Sequence, residues 1–296
     1  AFKGEHDSPH DVLQPPSLYP AFPYEGYAWG MVIDLNACLG CNACMVACQS
    51  ENNIPVVGKD QILNGREMHW IRVDRYFEPS VTGSTETIVH QPVPCMHCEN
   101  APCETVCPVG AMNKTADGPV VYDAERCIGC RYCVQACPFD VPKYQWDRAI
   151  PVVGKCVMCA PRLAKGEPTA CASVCPTGAT KFGERSALIA EARRRIASAP
   201  GRYVDHVYGL DEVGGTSVLM LSSVPFAQLG LRENLPHQPL PGLTWNVLSK
   251  VPDIVMLGGT VLYGIYWITR RRDLVRRIES ASAIREREAR EHGRPS

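Results

Sequence analysis

The chain has 296 residues and nearly balanced charge, with 30 Lys and Arg against 31 Asp and Glu. That balance excludes a dedicated nucleic-acid binder, which needs a basic excess to meet phosphates. The length suits one or two domains with appendages, and the composition is set apart by 25 prolines and 16 cysteines.

Residues 1–27 read as an extended N-terminal arm lying on a partner or on the body, because Pro15, Pro16, Pro20 and Pro23 block regular helix there. The arm has no apolar signal-peptide core. The chain does not begin with Met, and removal of an export leader is left open. His6 and His10 read as exposed tail histidines rather than metal ligands. A cysteine-rich body follows over 28–183. Met31, Val32 and Ile33 predict a strand over 31–34 that leads into a cysteine loop, and a short helix over 45–51 follows that loop. An insert at 52–94 carries alternating apolar and polar positions over 70–76, which predicts a strand, with a hairpin partner over 85–89. Val120, Val121 and Tyr122 predict another strand before a second loop of the same kind, with a helix over 134–136 after it. The recurrence of strand, cysteine loop and helix indicates internal duplication.

An extension packing on the body is expected over 184–250. Within it 185–197 is an amphipathic helix with Leu188, Ile189, Ala192 and Ile196 on its apolar side, and 217–221 is a strand. Residues 251–269 are apolar except for Asp253, a length near the minimum for a transmembrane helix. Tyr263, Tyr266 and Trp267 gather toward one end, where aromatic residues favour the membrane interface. Gly258 and Gly259 weaken a soluble helix but suit close packing against another membrane helix. The tail, 270–296, holds nine Arg against five acidic residues. The positive-inside rule puts that tail in the cytoplasm and the cysteine body on the periplasmic side of the inner membrane. The competing reading is a buried or interfacial helix of a soluble protein.

The cysteines fall in four groups of four: Cys38, Cys41, Cys44, Cys48; Cys95, Cys98, Cys103, Cys107; Cys127, Cys130, Cys133, Cys137; and Cys156, Cys159, Cys171, Cys175. The first and third groups read C-x2-C-x2-C-x3-C, the spacing of cubane iron–sulfur loops. Cysteines at i, i+3 and i+6 aim three thiolates at three corners of one cube, and the fourth corner comes from elsewhere. In the second and fourth groups the third cysteine is delayed. Pro108, Pro138 and Pro176 follow three of the groups, where a residue without N–H turns the chain away; Gln49 holds that place in the first. Four groups imply four 4Fe–4S clusters. Disulfides compete poorly, because the cysteines crowd into short loops of a chain long enough to bury a core. Structural zinc competes poorly because three cysteines overfill one knuckle. A 3Fe–4S cluster in one group stays open, since ligand count does not fix cluster type.

The backbone N–H groups of Gly40 and Gly129 are natural donors to cluster sulfur. Arg131, Lys143 and Lys155 lie near enough in sequence to raise a cluster's potential, with a surface salt bridge the equal alternative for each. His97 reads as a neighbour of a cluster or a surface residue, since its group already has four thiols. No Gly-rich dinucleotide fingerprint and no G-x-S-x-G elbow is present. An electron carrier is therefore favoured over an enzyme whose clusters serve its own substrate.

The four runs in this order, with CIGCRYCVQACPFDVPK starting at Cys127, resemble the four-cluster iron–sulfur subunits of membrane-bound respiratory oxidoreductases. That family includes subunits of dimethyl sulfoxide reductase, formate dehydrogenase-N and quinone-linked nickel–iron hydrogenase. The resemblance covers roughly 28–183. The stretch from Gly214 to Pro225 before a single span is most similar to the hydrogenase and formate dehydrogenase members. NIPVVGK from Asn53 and REMHW from Arg66 are similar to the iron–sulfur part of alternative complex III, a quinol-oxidising assembly with a different acceptor.

The resemblance implies an α+β fold of duplicated bacterial-ferredoxin-like, βαβ-type modules, with an inserted hairpin and one C-terminal transmembrane helix. It implies cluster a on Cys38, Cys41, Cys44 and Cys175, and cluster b on Cys48, Cys156, Cys159 and Cys171. Cluster c would lie on Cys95, Cys98, Cys103 and Cys137, and cluster d on Cys107, Cys127, Cys130 and Cys133. It further implies a non-catalytic subunit that carries electrons between a catalytic partner (a hydrogenase or molybdopterin enzyme) and a quinone-reactive subunit in the lipid bilayer.

Overall fold

The computed structural model describes residues 28–78, 87–148 and 151–293, so the N-terminal arm and its histidines lie outside the described residues. In chain order the elements are β1 (Trp29–Asp34), α1 (Ala43–Glu51), α2 (Gly58–Leu63), β2 (Arg72–Glu78), β3 (Thr87–Val93) and α3 (Pro102–Thr105). Next come β4 (Met112–Lys114), β5 (Val120–Tyr122), α4 (Tyr132–Ala136), β6 (Lys143–Tyr144), β7 (Val153–Gly154), α5 (Ala160–Leu163) and α6 (Ala170–Ser173). The chain ends with β8 (Thr180–Glu184), α7 (Arg185–Ser198), β9 (Val218–Leu221), α8 (Leu240–Leu248) and α9 (Val251–His292).

A three-stranded sheet in the order β8-β1-β9 forms the centre, with β1 antiparallel to β8 and parallel to β9. Side chains alternate across a strand, and both faces are apolar here. Met31, Ile33, Val218 and Met220 enter one core, while Val32, Leu219 and Leu221 meet Leu188 and Ala192 of α7 in another. The predicted apolar side of that helix is the buried one, with Ile189 and Ile196 packed alongside. Asp34 closes β1: its Oδ1 accepts the Asn36 N–H at 3.0 Å, a turn that sends the chain into the first cysteine loop. Its Oδ2 accepts Arg195 Nη1 and Tyr203 Oη, each at 2.9 Å, which ties α7 to the sheet.

The cysteine groups nest around this frame. The strand before the first group pairs with the strand after the fourth (β1 with β8), and the strand after the second pairs with the strand before the third (β4 with β5). The parallel partner of β1 is β9, which lies after all four groups. The inserted hairpin is β2 with β3, joined from Arg72↔Val93 to Glu78↔Thr87.

Several boundaries differ from the expectations. The strand expected at 70–76 begins at Arg72. Ile71 is buried in the core, and Trp70 lies on Gly154, where an added Cβ would come 2.6 Å from its Nε1. The partner strand runs on to Val93 and carries Pro92, which an isolated two-stranded ribbon tolerates. Within 184–250, β9 joins the central sheet beside β1 and α7 packs on one of its faces. The chain divides into Ala1–Gly242 and Leu243–Ser296. In the second unit the alternating Arg and Glu over 273–290 read as a solvated helix, and α9 runs from the apolar stretch into that tail without interruption. Ile254, Leu257, Leu262 and Ile268 are each more than half exposed, which a core helix of a soluble protein would not show.

Candidate iron–sulfur sites

Each cysteine group opens with the same backbone device. The residue before the second cysteine has φ in the left-handed region: +66° at Gly40, +48° at His97, +70° at Gly129 and +53° at Met158. This bend turns N–H groups toward the preceding sulfur. Gly129 N donates to Cys127 Sγ and Met158 N to Cys156 Sγ, both at 3.4 Å, and Gly40 N–H bonds Cys38. Glycine takes this conformation freely; at His97 and Met158 it costs ~1–3 kcal/mol, and both side chains are fully buried and held by their surroundings.

The third and fourth cysteines of every group are four residues apart. Both lie on α1 in the first group; in the other three the third cysteine is on α3, α4 or α6 and the fourth follows just past the end of that helix, where the chain turns away. Helix α1 packs on α6, and α3 on α4, so the first group meets the fourth and the second meets the third. The hydrophobic cores divide the same way, with Cys48 and Cys171 in one and Cys98, Cys103 and Cys133 in another.

The thiols lie accordingly. Cys38 neighbours Cys41, Cys44 and Cys175. Cys48 neighbours Cys159 and Cys171, and Cys156 neighbours both Cys48 and Cys171. Cys95, Cys98, Cys103 and Cys137 gather together, as do Cys107, Cys127, Cys130 and Cys133. Adjacent sets lie within electrostatic reach of one another: Cys44 with Cys171, Cys156 with Cys95, and Cys103 with Cys133.

Burial, reinforced by neighbouring thiols, pushes Cys48 up to about 12 and Cys44 and Cys133 up to about 11. Burial also carries Cys103 to about 12, against the pull of Lys155. Cys137 and Cys171 reach about 11 for the same first reason. Ligation needs thiolates, so the protein alone leaves these sites short of positive charge, which iron would supply. Cys107 and Cys175 go the other way. Burial opposes their ionisation, but backbone N–H groups after the cysteine prevail; Ala111 N reaches Cys107 Sγ at 3.1 Å. The prolines at 108 and 176 begin the turns that supply those donors.

The donor sets fit cubane clusters. One cavity is lined by Cys48, Cys156, Cys159 and Cys171, another by Cys107, Cys127, Cys130 and Cys133. Among the described residues no three His, Cys, Asp or Glu side chains converge on a point as they would around one ion, whereas zinc needs four ligands within ~2.3 Å. The thiols surround volumes instead.

The cationic candidates separate. Lys143 donates to Glu67 at 2.7 Å, so its charge is answered. Arg131 is exposed and lies over the rings of Tyr144 and Trp146, at 5.3 and 5.1 Å. Lys155 is 1% exposed. His97 is wholly buried and not a surface residue; burial, then Lys155 and Lys114, hold it well below the usual imidazole range, and its Nδ1 accepts Val120 N–H at 3.0 Å. Lys114 was not singled out by sequence. It is buried beside Cys98 and pairs with Glu99 at 3.0 Å.

A Cβ added to Gly40 would fall 2.1 Å from His90 Cδ2 at a φ of +66°. Gly40→Ala is therefore expected to cost ~1–2 kcal/mol in backbone alone, to displace His90 and to loosen the Cys38–Cys41 loop. Iron content and thermal melting check this against Gly65→Ala, where φ is +67° but the space is open. An equal effect of both changes would mean that the His90 contact is irrelevant.

Comparison with known proteins gives the same assignment. Two family models, each described as a 4Fe–4S dicluster domain, match over 37–111 and 87–185. A protein of Nitratidesulfovibrio vulgaris is 37% identical over 276 residues, covering 90% of this chain and 73% of its own. The hydrogenase-2 operon protein HybA of Escherichia coli O157:H7 is 34% identical over 284 residues, 79% of this chain and 83% of its own. The iron–sulfur subunit of the nitrate-inducible formate dehydrogenase of Escherichia coli K12 is 36% identical over 197 residues, 64% of this chain and 66% of its own. The chain binds 4Fe–4S clusters, and it belongs to the ferredoxin-like electron-transfer subunits of respiratory oxidoreductases.

Proposed function

We propose that the chain holds four 4Fe–4S clusters in the line a-b-c-d and carries electrons between a catalytic subunit and a quinone-reactive membrane subunit. The ligand sets are Cys38, Cys41, Cys44, Cys175; Cys48, Cys156, Cys159, Cys171; Cys95, Cys98, Cys103, Cys137; and Cys107, Cys127, Cys130, Cys133. What carries this reading is the unbroken succession of neighbouring thiols from Cys38 to Cys133 described above. When bound, each cluster supplies a one-electron couple whose potential follows burial, hydrogen bonds to sulfur and nearby charge. The chain's residues do the rest: thiolates fix the spacing, left-handed turns aim N–H groups at sulfur, and the two cores keep water from the middle of the line.

The ends of the line differ from its middle. The two exposed cysteines, Cys41 and Cys130, each belong to an outer set, beside Leu39 at 67% and Ile128 at 64% exposure; every cysteine of the inner sets is buried or half-buried, as is Cys133 of outer set d. Electrons therefore enter at one outer site and leave at the other. The shared loop conformation of the four groups supports their origin by duplication. The printed names of the relatives, a hydrogenase-2 operon protein and a formate dehydrogenase subunit, favour a hydrogenase or molybdopterin enzyme as catalytic partner. The apolar part of α9, 251–269, spans the inner membrane, with the basic tail in the cytoplasm and the cluster body in the periplasm.

Iron and sulfide analysis of the anaerobically purified chain is expected to give about sixteen of each, four cubanes. The isolated chain is expected to accept electrons from a chemical reductant without turning over hydrogen, formate or quinol. An iron count near four or below, or turnover by the chain alone, would overturn the reading.

A further inference from the structure

Lys155 and Lys114 are the two lysines buried among the described residues, and they differ in one respect. Lys114 has a carboxylate partner in Glu99. Lys155 Nζ donates only to carbonyls, those of Val120 and of Cys156, the latter at 2.9 Å. Among the described residues no carboxylate lies within ion-pair reach of it. Burying an ammonium without a counter-charge costs several kcal/mol even after relaxation, and two carbonyl dipoles do not replace an anion.

The position of Lys155 says what the anion is. It precedes Cys156, a member of set b, and bonds that residue's own carbonyl. On the other side its charge is the largest acting on Cys103, a member of set c. Sets b and c are adjacent through Cys156 and Cys95. The ammonium is held there by the Val120 peptide, whose C=O takes Lys155 and whose N–H is bound by the fully buried His97. A cubane with four thiolates is an anion, and reduction adds a further negative charge. With iron in place, Lys155 stands next to two such anions, both screened from water.

We propose that Lys155 is the fixed positive charge shared by the two inner clusters, b and c, and that it holds both of them easier to reduce than the outer pair would make them. The inference rests on the four-cluster reading. Its consequence for the line is that an electron entering from either end meets a raised inner pair rather than a barrier. Lys143 and Arg131 do not share this role, since Glu67 neutralises the first and the second is exposed.

The test is a potentiometric titration of the holo-chain followed by electron paramagnetic resonance, on wild type, Lys155→Met and Lys155→Arg. Signals of cluster c are assigned by their loss in Cys137→Ser, and those of cluster b by their loss in Cys159→Ser. Lys155→Met is expected to lower the reduced-to-oxidised ratio of both inner clusters by about tenfold or more at a given solution potential, about 59 mV for a one-electron couple. The outer clusters are expected to stay in place, and Lys155→Arg to resemble wild type. Unchanged inner potentials, or an equal shift of all four clusters, would overturn the proposal. Should Lys155→Met lose inner iron, retention by Lys155→Arg supports the requirement for charge. Loss in both overturns it in favour of the carbonyl bonds. Wild-type iron far below about sixteen would instead sink the four-cluster reading.

Discussion

Replacing Cys137 by Ser is expected to empty the site formed by Cys95, Cys98 and Cys103 and to spare Cys127, Cys130 and Cys133, although the latter are its neighbours in sequence. Cys133 and Cys137 are one helical turn apart at α4 and its end, and sulfurs so placed cannot both cap one small cube that three cysteines of a single loop already face. The sulfur of Cys137 lies instead with Cys95. Its removal leaves one iron without a thiolate in a site where burial already opposes ionisation of Cys98 and Cys103. Iron is expected to fall from about sixteen to about twelve per chain, one cubane. Because this set stands between its two neighbours, transfer from one end to the other is expected to stop while the remaining clusters still reduce chemically. Iron analysis and the resonance spectrum decide it. Loss of the signal from the Cys127 set, with the Cys95 set intact, would mean that each group builds its own cluster.

The four cysteine groups were legible from spacing alone, whereas their crossed pairing came only from the family resemblance, because it depends on α1 meeting α6 and α3 meeting α4 across the fold. The strands at 31–34 and 120–122 were legible as short apolar runs and the helix over 185–197 by its apolar side at helical period. What sequence could not supply was anything decided by a distant partner. Lys143 and Lys155 look alike beside their cysteines, yet Glu67 meets one and, among the described residues, no carboxylate meets the other. The left-handed turn is announced by glycine at Gly40 and Gly129. At His97 and Met158 no residue preference announces it, and burial enforces it. The parallel partner of β1 comes from beyond all the cysteines, which no local pattern reveals. The unbroken helix past Thr269 follows from helix-favouring Arg, Glu and Ala in the tail; a change in composition marked a change of solvent there, not an end of the helix.

Truncation after Pro241 is expected to release the cluster body from membranes with its iron intact. The cut falls at the junction of the two compact units, Ala1–Gly242 and Leu243–Ser296. It retains Pro239, whose ring lies where a Cβ on Gly214 would be, and Leu240, which packs on the core around Cys98 and Cys103. What is lost is most of α8 and the whole of α9; α9 is 42 residues long, or about 63 Å at helical rise against ~30 Å of hydrocarbon. Its first half is the apolar part, and Asp253 sits in the first turn. At a helix N-terminus a carboxylate is stabilised, so Asp253 is not expected to oppose insertion of the apolar part into a bilayer. The second half starts with Arg270, Arg271 and Arg272, which stop the helix from passing further into lipid. The truncated chain is expected in the soluble fraction with about sixteen iron atoms, and the full chain in membranes after an alkaline carbonate wash. If the truncated chain stays on washed membranes, contacts with other subunits are the anchor and α9 serves some other purpose. If it is soluble but has lost iron, the second unit supports the fold around the cysteines as well as the attachment.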